Sequence, residues 1–125
     1  MLGPGNASVN MENMQTFSLE DFVLVAKVVD IPEGKGTVVK AKGKQIALFR
    51  VKDTFYAINN VCPHQGASLA KGRLKRYVVS CPLHDLQFDI RSGFQTDGGG
   101  CGVAAYDVHV ENGNVYVKTK ASRFI

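Results

Sequence analysis

The chain has 125 residues, a mass of 13.6 kDa and a net charge of +4, from 15 basic against 11 acidic residues. That length suits one domain able to bury about two-thirds of its unfolded surface. The longest apolar run, Phe22-Val23-Leu24-Val25-Ala26, falls far short of the about 20 residues that span a membrane. The start of the chain lacks the basic and apolar regions of a secretory signal, so a cytoplasmic location is expected.

Residues 1–13 show no hydrophobic period and read as a disordered or appended tail, with Met11 a possible natural start. A single domain is expected over 20–120. Short strands follow in chain order: Phe22–Val29, then Thr37–Ala41, Gln45–Val51 and Phe55–Ile58, each set off by Gly, Lys or Asp turns. A strand is predicted over Leu74–Ser80 and a short one over Gln87–Ile90. In the last pair, Tyr106, Val108 and Val110 alternate with Asp107, His109 and Glu111. Asn112-Gly113 then turns the chain into Val115-Tyr116-Val117. No window carries a helical period, and the short runs read as a β-meander. The glycine-rich stretch 97–102 reads as a flexible loop.

Charge is uneven. Residues 34–84 hold ten bases and one acid, Asp53, whereas residues 1–33 hold one base and five acids. A nucleic-acid binder is one reading of that skew, but no matching motif accompanies it. A solvated basic face and a docking face for an acidic partner both remain open.

Three cysteines in such a chain do not read as a disulfide framework. Two of them pair closely with histidines: Cys62-Pro63-His64 and Cys81-Pro82-Leu83-His84. Proline after each cysteine fixes φ and removes a competing donor, stiffening the loop. Thiolate and imidazole at this spacing suit zinc, copper or iron. Structural zinc sites usually show a Cys-x₂₋₄-Cys knuckle and a helical His pair. Here the two pairs are mixed and lie on loops, and two ligands of each type suit a binuclear centre.

Cys-Pro-His-Gln-Gly-Ala-Ser-Leu and Cys-Pro-Leu-His-Asp-Leu-Gln-Phe-Asp resemble the two cluster-binding boxes of Rieske [2Fe–2S] proteins. Ile46-Ala-Leu-Phe-Arg-Val, Phe55-Tyr-Ala-Ile-Asn-Asn-Val and the run from Tyr106 to Val117 resemble the soluble Rieske-type ferredoxins. The likeness covers about residues 20–119. It implies an all-β fold of antiparallel sheets, sandwich-like, with an inserted cluster-binding subdomain at about 60–95. It implies one [2Fe–2S] cluster, with Cys62 and Cys81 on one iron and His64 and His84 on the other, nearer the surface.

The chain also departs from the high-potential members of that family. Their extra disulfide cysteines correspond to Ala67 and Leu83, and their hydroxyl donors to the cluster sulfurs correspond to Leu86 and Phe88. Hydrogen bonds to sulfur stabilise the more negative reduced cluster, so a potential near about −150 mV is expected. Asp85 stands where many relatives have Gly, a place Asp tolerates at positive φ. The Gly-rich stretch 98–102 replaces a loop that contains Pro in relatives. Reduction adds negative charge beside the two imidazoles and should raise their pKa; a potential flat from neutral to strongly alkaline pH contradicts such ligation.

Among the remaining candidates, Cys101 reads as a partly buried thiol and His109 as a solvent-facing side chain. Lys71, Arg73, Lys75 and Arg76 either steer a partner or are merely solvated. Pro63, Leu83 and Leu86 are expected to divide between an apolar docking patch and shielding of the cluster.

An iron filled by two sulfides and two imidazoles offers no open position to substrate. The chain carries no nucleotide fingerprint such as GxGxxG. The implied role is one-electron transfer from an NAD(P)H-dependent flavin reductase to a terminal oxygenase, either an aromatic-ring dioxygenase or a hydrocarbon monooxygenase. The chain is thus expected to be a monomeric electron-transfer component, not itself an enzyme, with transient docking near His64 and His84. A small subunit of a nitrite reductase-like enzyme and a zinc-bound structural module are the alternatives.

Overall fold

The computed structural model describes residues 21–63, 66–83, 86–96 and 102–120. Among these residues ten strands form three antiparallel sheets. The central sheet contains β2 (Gly36–Ala41), β3 (Lys44–Val51), β4 (Thr54–Asn59) and β8 (Ala105–Tyr106), in that order. A second sheet takes β1 (Phe22–Lys27), β10 (Asn114–Lys118) and β9 (Val108–Glu111), ordered β1-β10-β9. The third and smallest joins β5 (Arg73–Lys75), β6 (Val78–Ser80) and β7 (Gln87–Asp89). Among the described residues there is no α-helix. Single 3₁₀ turns stand at Val28–Asp30 and Leu69–Lys71. The predicted all-β class is what the chain adopts.

Strand β3 explains the layering. Its residues Ile46, Ala47, Leu48 and Phe49 are all buried, and successive side chains of a strand point to opposite faces. Ile46 and Leu48 join Val39, Phe55, Tyr106, Val115 and Val117 in the core shared with the second sheet. Ala47 and Phe49 face the other way, into a core with Ile58, Leu69, Val79, Phe88 and both Cys62 and Cys81. Each large side chain contributes about 1.5–3 kcal/mol by leaving water. The central sheet is thus packed on both faces, and one of those faces supports the cysteines.

Two hairpins close as their sequences predict. Lys42-Gly43 and Asn112-Gly113 each have both turn residues at positive φ, the pattern of a type I′ turn whose twist matches the strands.

Three predicted strands need correction. Leu74–Ser80 is a hairpin, β5 and β6, joined through Arg76 at φ +58° and Tyr77. Tertiary contacts hold this turn without Gly or Asn at its first position: the Tyr77 ring stands edge-on to Tyr56, and its carbonyl accepts the Ile90 N–H at 2.8 Å. Phe22–Val29 stops as a strand at Lys27, and Val29 is exposed on the 3₁₀ turn that follows. Finally, the alternating run from Tyr106 to Glu111 is shared between sheets. Ala105 and Tyr106 pair with β4, whereas Val108 onwards pairs with β10. The chain crosses at exposed Asp107, whose carbonyl accepts the Lys118 N–H at 2.9 Å. Tyr106 is therefore buried while Val110 is exposed.

Candidate metal centre

Two loops carry the predicted ligands. One leaves β4 and leads to the Leu69–Lys71 turn; the other joins β6 to β7. They close alike. The Cys62 N–H donates to the Ala67 carbonyl at 2.9 Å, and the Cys81 N–H donates to the Leu86 carbonyl at 2.7 Å. In both, the bond reaches five residues ahead. In the first loop Gly66, at φ +73°, also donates its N–H to the Cys62 carbonyl at 2.9 Å.

The cysteines at the heads of these loops are sealed from solvent, Cys62 at 1% exposure and Cys81 at 0%. They share one core cluster with Leu69, Val79 and Phe88. Among the described residues no disulfide joins them. Pro63, Pro82 and Leu83, which follow them, are exposed, Leu83 by 60%. Leu86 instead packs against the core. The expected division between patch and shield is therefore Pro63 and Leu83 outside, Leu86 inside.

His64 and His84 lie outside the described residues, as do Asp85, the stretch 97–101 with Cys101, and the tail 1–13. Among the described residues no three His, Cys, Asp or Glu side chains gather as a metal site. What the described chain supplies is two buried soft donors at the heads of matched loops, an arrangement that fits a thiolate-held iron. Leu86 and Phe88 stand in the second loop and its return strand. Phe88 is fully buried in the cysteines' own core, without a hydroxyl to offer.

Sequence reasoning missed the residue that braces the first loop. Asn60 is 2% exposed. Its Oδ1 accepts from Ser68 Oγ at 3.0 Å and from the Ala70 N–H at 2.9 Å, and its Nδ2 donates to Gln45 Oε1 at 3.2 Å. Its backbone N–H donates to the Gln45 carbonyl at 3.0 Å, and its carbonyl accepts the Leu69 N–H at 2.7 Å. An asparagine two residues before a Cys-Pro box is the only sequence signal for it.

Beyond the second loop, Asp89 and Arg91 form another brace. Arg91 reaches both carboxylate oxygens of Asp89, Nε at 3.0 Å and Nη2 at 2.8 Å, while its guanidinium lies 4.3 Å from the Tyr77 ring centre. The Arg91 hydrogen bond holds the Asp89 carboxyl below its ordinary value, against the opposing effect of burial. The Asp89 carbonyl accepts the Gly93 N–H at 2.7 Å. Gly93 itself, at φ +81°, passes so near Val103 that a Cβ would lie 2.1 Å from the Val103 oxygen.

His109 is not simply solvent-facing. Its ring is half-buried, with centroids 6.1 Å from Phe22 and 6.3 Å from Tyr116, and its Nε2 stands 3.0 Å from Glu111 Oε1. It belongs to the β1-β10-β9 sheet, not to the cysteine core.

Residues 21–101 match the family described as Rieske [2Fe-2S] domain. The ferredoxin component of the naphthalene 1,2-dioxygenase/salicylate 5-hydroxylase systems of a Ralstonia species is 35% identical over 105 residues, 79% of this chain and 96% of that one. The ferredoxin of carbazole 1,9a-dioxygenase from Nocardioides aromaticivorans IC177 has a similar structure, with a TM-score of 0.75 and 33% identity over 81% of this chain and all of that one. A chain in the complex of reduced oxygenase and oxidized ferredoxin in carbazole 1,9a-dioxygenase gives a TM-score of 0.77 and 29% identity, covering 84% of this chain and 99% of that one. Small subunits of nitrite reductases share the fold as well.

Proposed function

The chain belongs to the Rieske [2Fe–2S] family, and we propose that it carries single electrons from an NAD(P)H-dependent flavin reductase to a terminal oxygenase. Its cofactor is a Rieske-type [2Fe–2S] cluster. When bound, that cluster supplies a one-electron couple without an open coordination position. Cys62 and Cys81 are the thiolate ligands in this reading, and His64 and His84 the imidazole ligands. The observation that carries it is the pair of buried thiols heading two loops of equal closure.

The remaining residues do the work of a carrier. Leu69, Val79 and Phe88 exclude water from the thiol side, which disfavours added charge and keeps the potential low. Leu86 and Phe88 withhold the hydroxyl hydrogen bonds that would raise it. Pro63 and Leu83 offer exposed apolar contact on the loops that hold the histidines. Electron-transfer encounters are small, below about 1,200 Å², and a few apolar side chains suffice for them. The ferredoxin–oxygenase complex of the carbazole system supports a terminal oxygenase as the acceptor, either an aromatic-ring dioxygenase or a hydrocarbon monooxygenase. Among the described residues no helix is long and apolar enough to cross a membrane; the carrier is proposed to be a cytoplasmic monomer.

Electron paramagnetic resonance of the dithionite-reduced protein, with iron and sulfide quantified on the same sample, tests this. A rhombic signal of low average g at two irons per chain is expected. Stoichiometric zinc without iron overturns the reading. Stable co-purification with a large catalytic subunit favours the nitrite reductase-like alternative instead.

A further inference from the structure

Strand β5 is an edge strand, and a groove runs beside it. One cavity of about 620 Å³ is lined by Lys71, Arg73, Ser80, Cys81 and Pro82 among others. A second, of about 570 Å³, continues past Arg73 and Ser80 to Lys75, Arg76 and Gln87. The two adjoin at Arg73 and Ser80, which pair across β5 and β6, and together they make a trough reaching from the second cysteine loop to the β5–β6 turn.

Four cations, Lys71, Arg73, Lys75 and Arg76, stand along this trough, all exposed. No carboxylate lines either cavity among the described residues. The side chains of these four make no ion pair or hydrogen bond to a described residue. Arg91 holds Asp89, Arg50 reaches the Ile31 carbonyl and Lys44 reaches the Thr119 carbonyl; what sets the four apart from other lysines without a side-chain partner among the described residues, such as Lys35, Lys40 and Lys42, is that they line one pair of adjoining cavities. The edge is also held rigidly. Gly72 approaches β6 so closely that a Cβ would stand 2.0 Å from the Ser80 oxygen. Four like charges on a fixed edge repel one another, and a facing anionic surface relieves that repulsion.

We propose that this trough docks an acidic protein face, that of the electron-transfer partner, and brings it to the Cys81 loop. This rests on the carrier reading above and adds the partner's charge to it. Charge complementarity identifies the occupant. A solvated face does not require the cations to line a trough that ends at a ligand loop. A nucleic acid fits poorly, because among the described residues no aromatic side chain lines the trough to stack on a base. Three residues of β5 also span only about 10 Å, room for few phosphates.

The test uses the reduced holoprotein in stopped flow against two outer-sphere oxidants, anionic ferricyanide and cationic tris(phenanthroline)cobalt(III). Electrostatic steering predicts that ferricyanide oxidises the protein about 10-fold faster at about 10 mM than at about 200 mM ionic strength. The cobalt complex should show the reverse trend. Arg73→Gln/Lys75→Gln should lose most of both dependences, and poly-L-glutamate should slow ferricyanide oxidation in the parent protein only. Equal salt dependence for the two oxidants overturns the proposal. So does competition by a single-stranded oligonucleotide at concentrations where polyglutamate has no effect. A dithionite spectrum recorded before mixing separates the two readings, since a preparation without a reducible cluster refutes the carrier. Polyglutamate binding, followed by fluorescence anisotropy in both proteins, still decides the trough in that case.

Discussion

Asn60→Ala is the substitution that most directly probes how the first ligand loop is held. It removes three side-chain hydrogen bonds at once, to Ser68, Ala70 and Gln45. Of the groups left behind, the Ala70 N–H matters most. Ala70 is buried, and an orphaned buried donor costs about 1–3 kcal/mol. The two other lost bonds are only part-buried and add about 0.5 kcal/mol each, for a total of about 2–4 kcal/mol. For a domain of this size about 4 °C in Tm accompanies each kcal/mol, so a fall of about 8–16 °C is expected. Ser68→Ala removes only one of the three bonds and should cost about 0.5–1.5 kcal/mol. The assay is a thermal scan of the holoprotein at one scan rate, followed by far-UV circular dichroism and by visible absorption of the cluster. The Cys62 N–H is held by the Ala67 carbonyl, just ahead of the segment Asn60 anchors, so the visible signal should disappear no later than the dichroism. An Asn60→Ala protein melting within about 2 °C of the parent, or level with Ser68→Ala, would refute the reasoning.

Gly93→Ala should destabilise by at least about 2 kcal/mol, since its Cβ would lie 2.1 Å from the Val103 oxygen at φ +81°. Gly43→Ala, at φ +80° with nothing within 4 Å, should cost only the about 1 kcal/mol of left-handed strain; denaturant titration of the pair separates clash from strain. Phe88→Tyr places a hydroxyl where the family resemblance puts a donor to sulfur. One such bond of about 1.4 kcal/mol raises a one-electron potential by about 59 mV, which spectroelectrochemistry reads directly. Arg91→Gln releases the Asp89 carboxyl from the partner that holds it below 3.8. A carboxyl depressed in the fold stabilises fully above its unfolded value and loses that contribution as pH falls through its native value. The stability gap between parent and variant should therefore be constant above about pH 5 and close below about pH 4; a gap that widens on acidification refutes the assignment.

The turn chemistry and the ligand boxes were the legible parts of this sequence. Asn112-Gly113 announces its hairpin because few other pairs accept two positive φ values, whereas Lys42-Gly43 reads only as a turn, its lysine giving no sign of φ +50°. The Cys-Pro boxes were legible because mixed thiolate and imidazole pairs on loops serve few chemistries. Local rules failed where distant residues decide. Arg76 adopts φ +58° without a glycine because Tyr77 is gripped by Tyr56 and Arg91, and neither Tyr56 nor Arg91 is a neighbour in the sequence. The alternation from Tyr106 to Glu111 is genuine, but alternation does not say which sheet each half joins. Pairing with β4 and then β10 decides that. His109 looked polar by its place in the alternation, yet Phe22 and Tyr116 come from other strands to flank it.

The matched closures of the two cysteine loops have an evolutionary consequence. Each is tied by a backbone N–H and a backbone carbonyl five residues apart, groups that every residue except proline provides in full. The side chains between those ties, the two histidines and Gly66 apart, can therefore drift without loosening the cysteines. This tolerates a histidine two positions after one cysteine and three after the other, and it leaves the exposed tips at Pro63 and Leu83 open to selection. A lineage could exchange one redox partner for another by changing these tips while the buried thiols stayed in place.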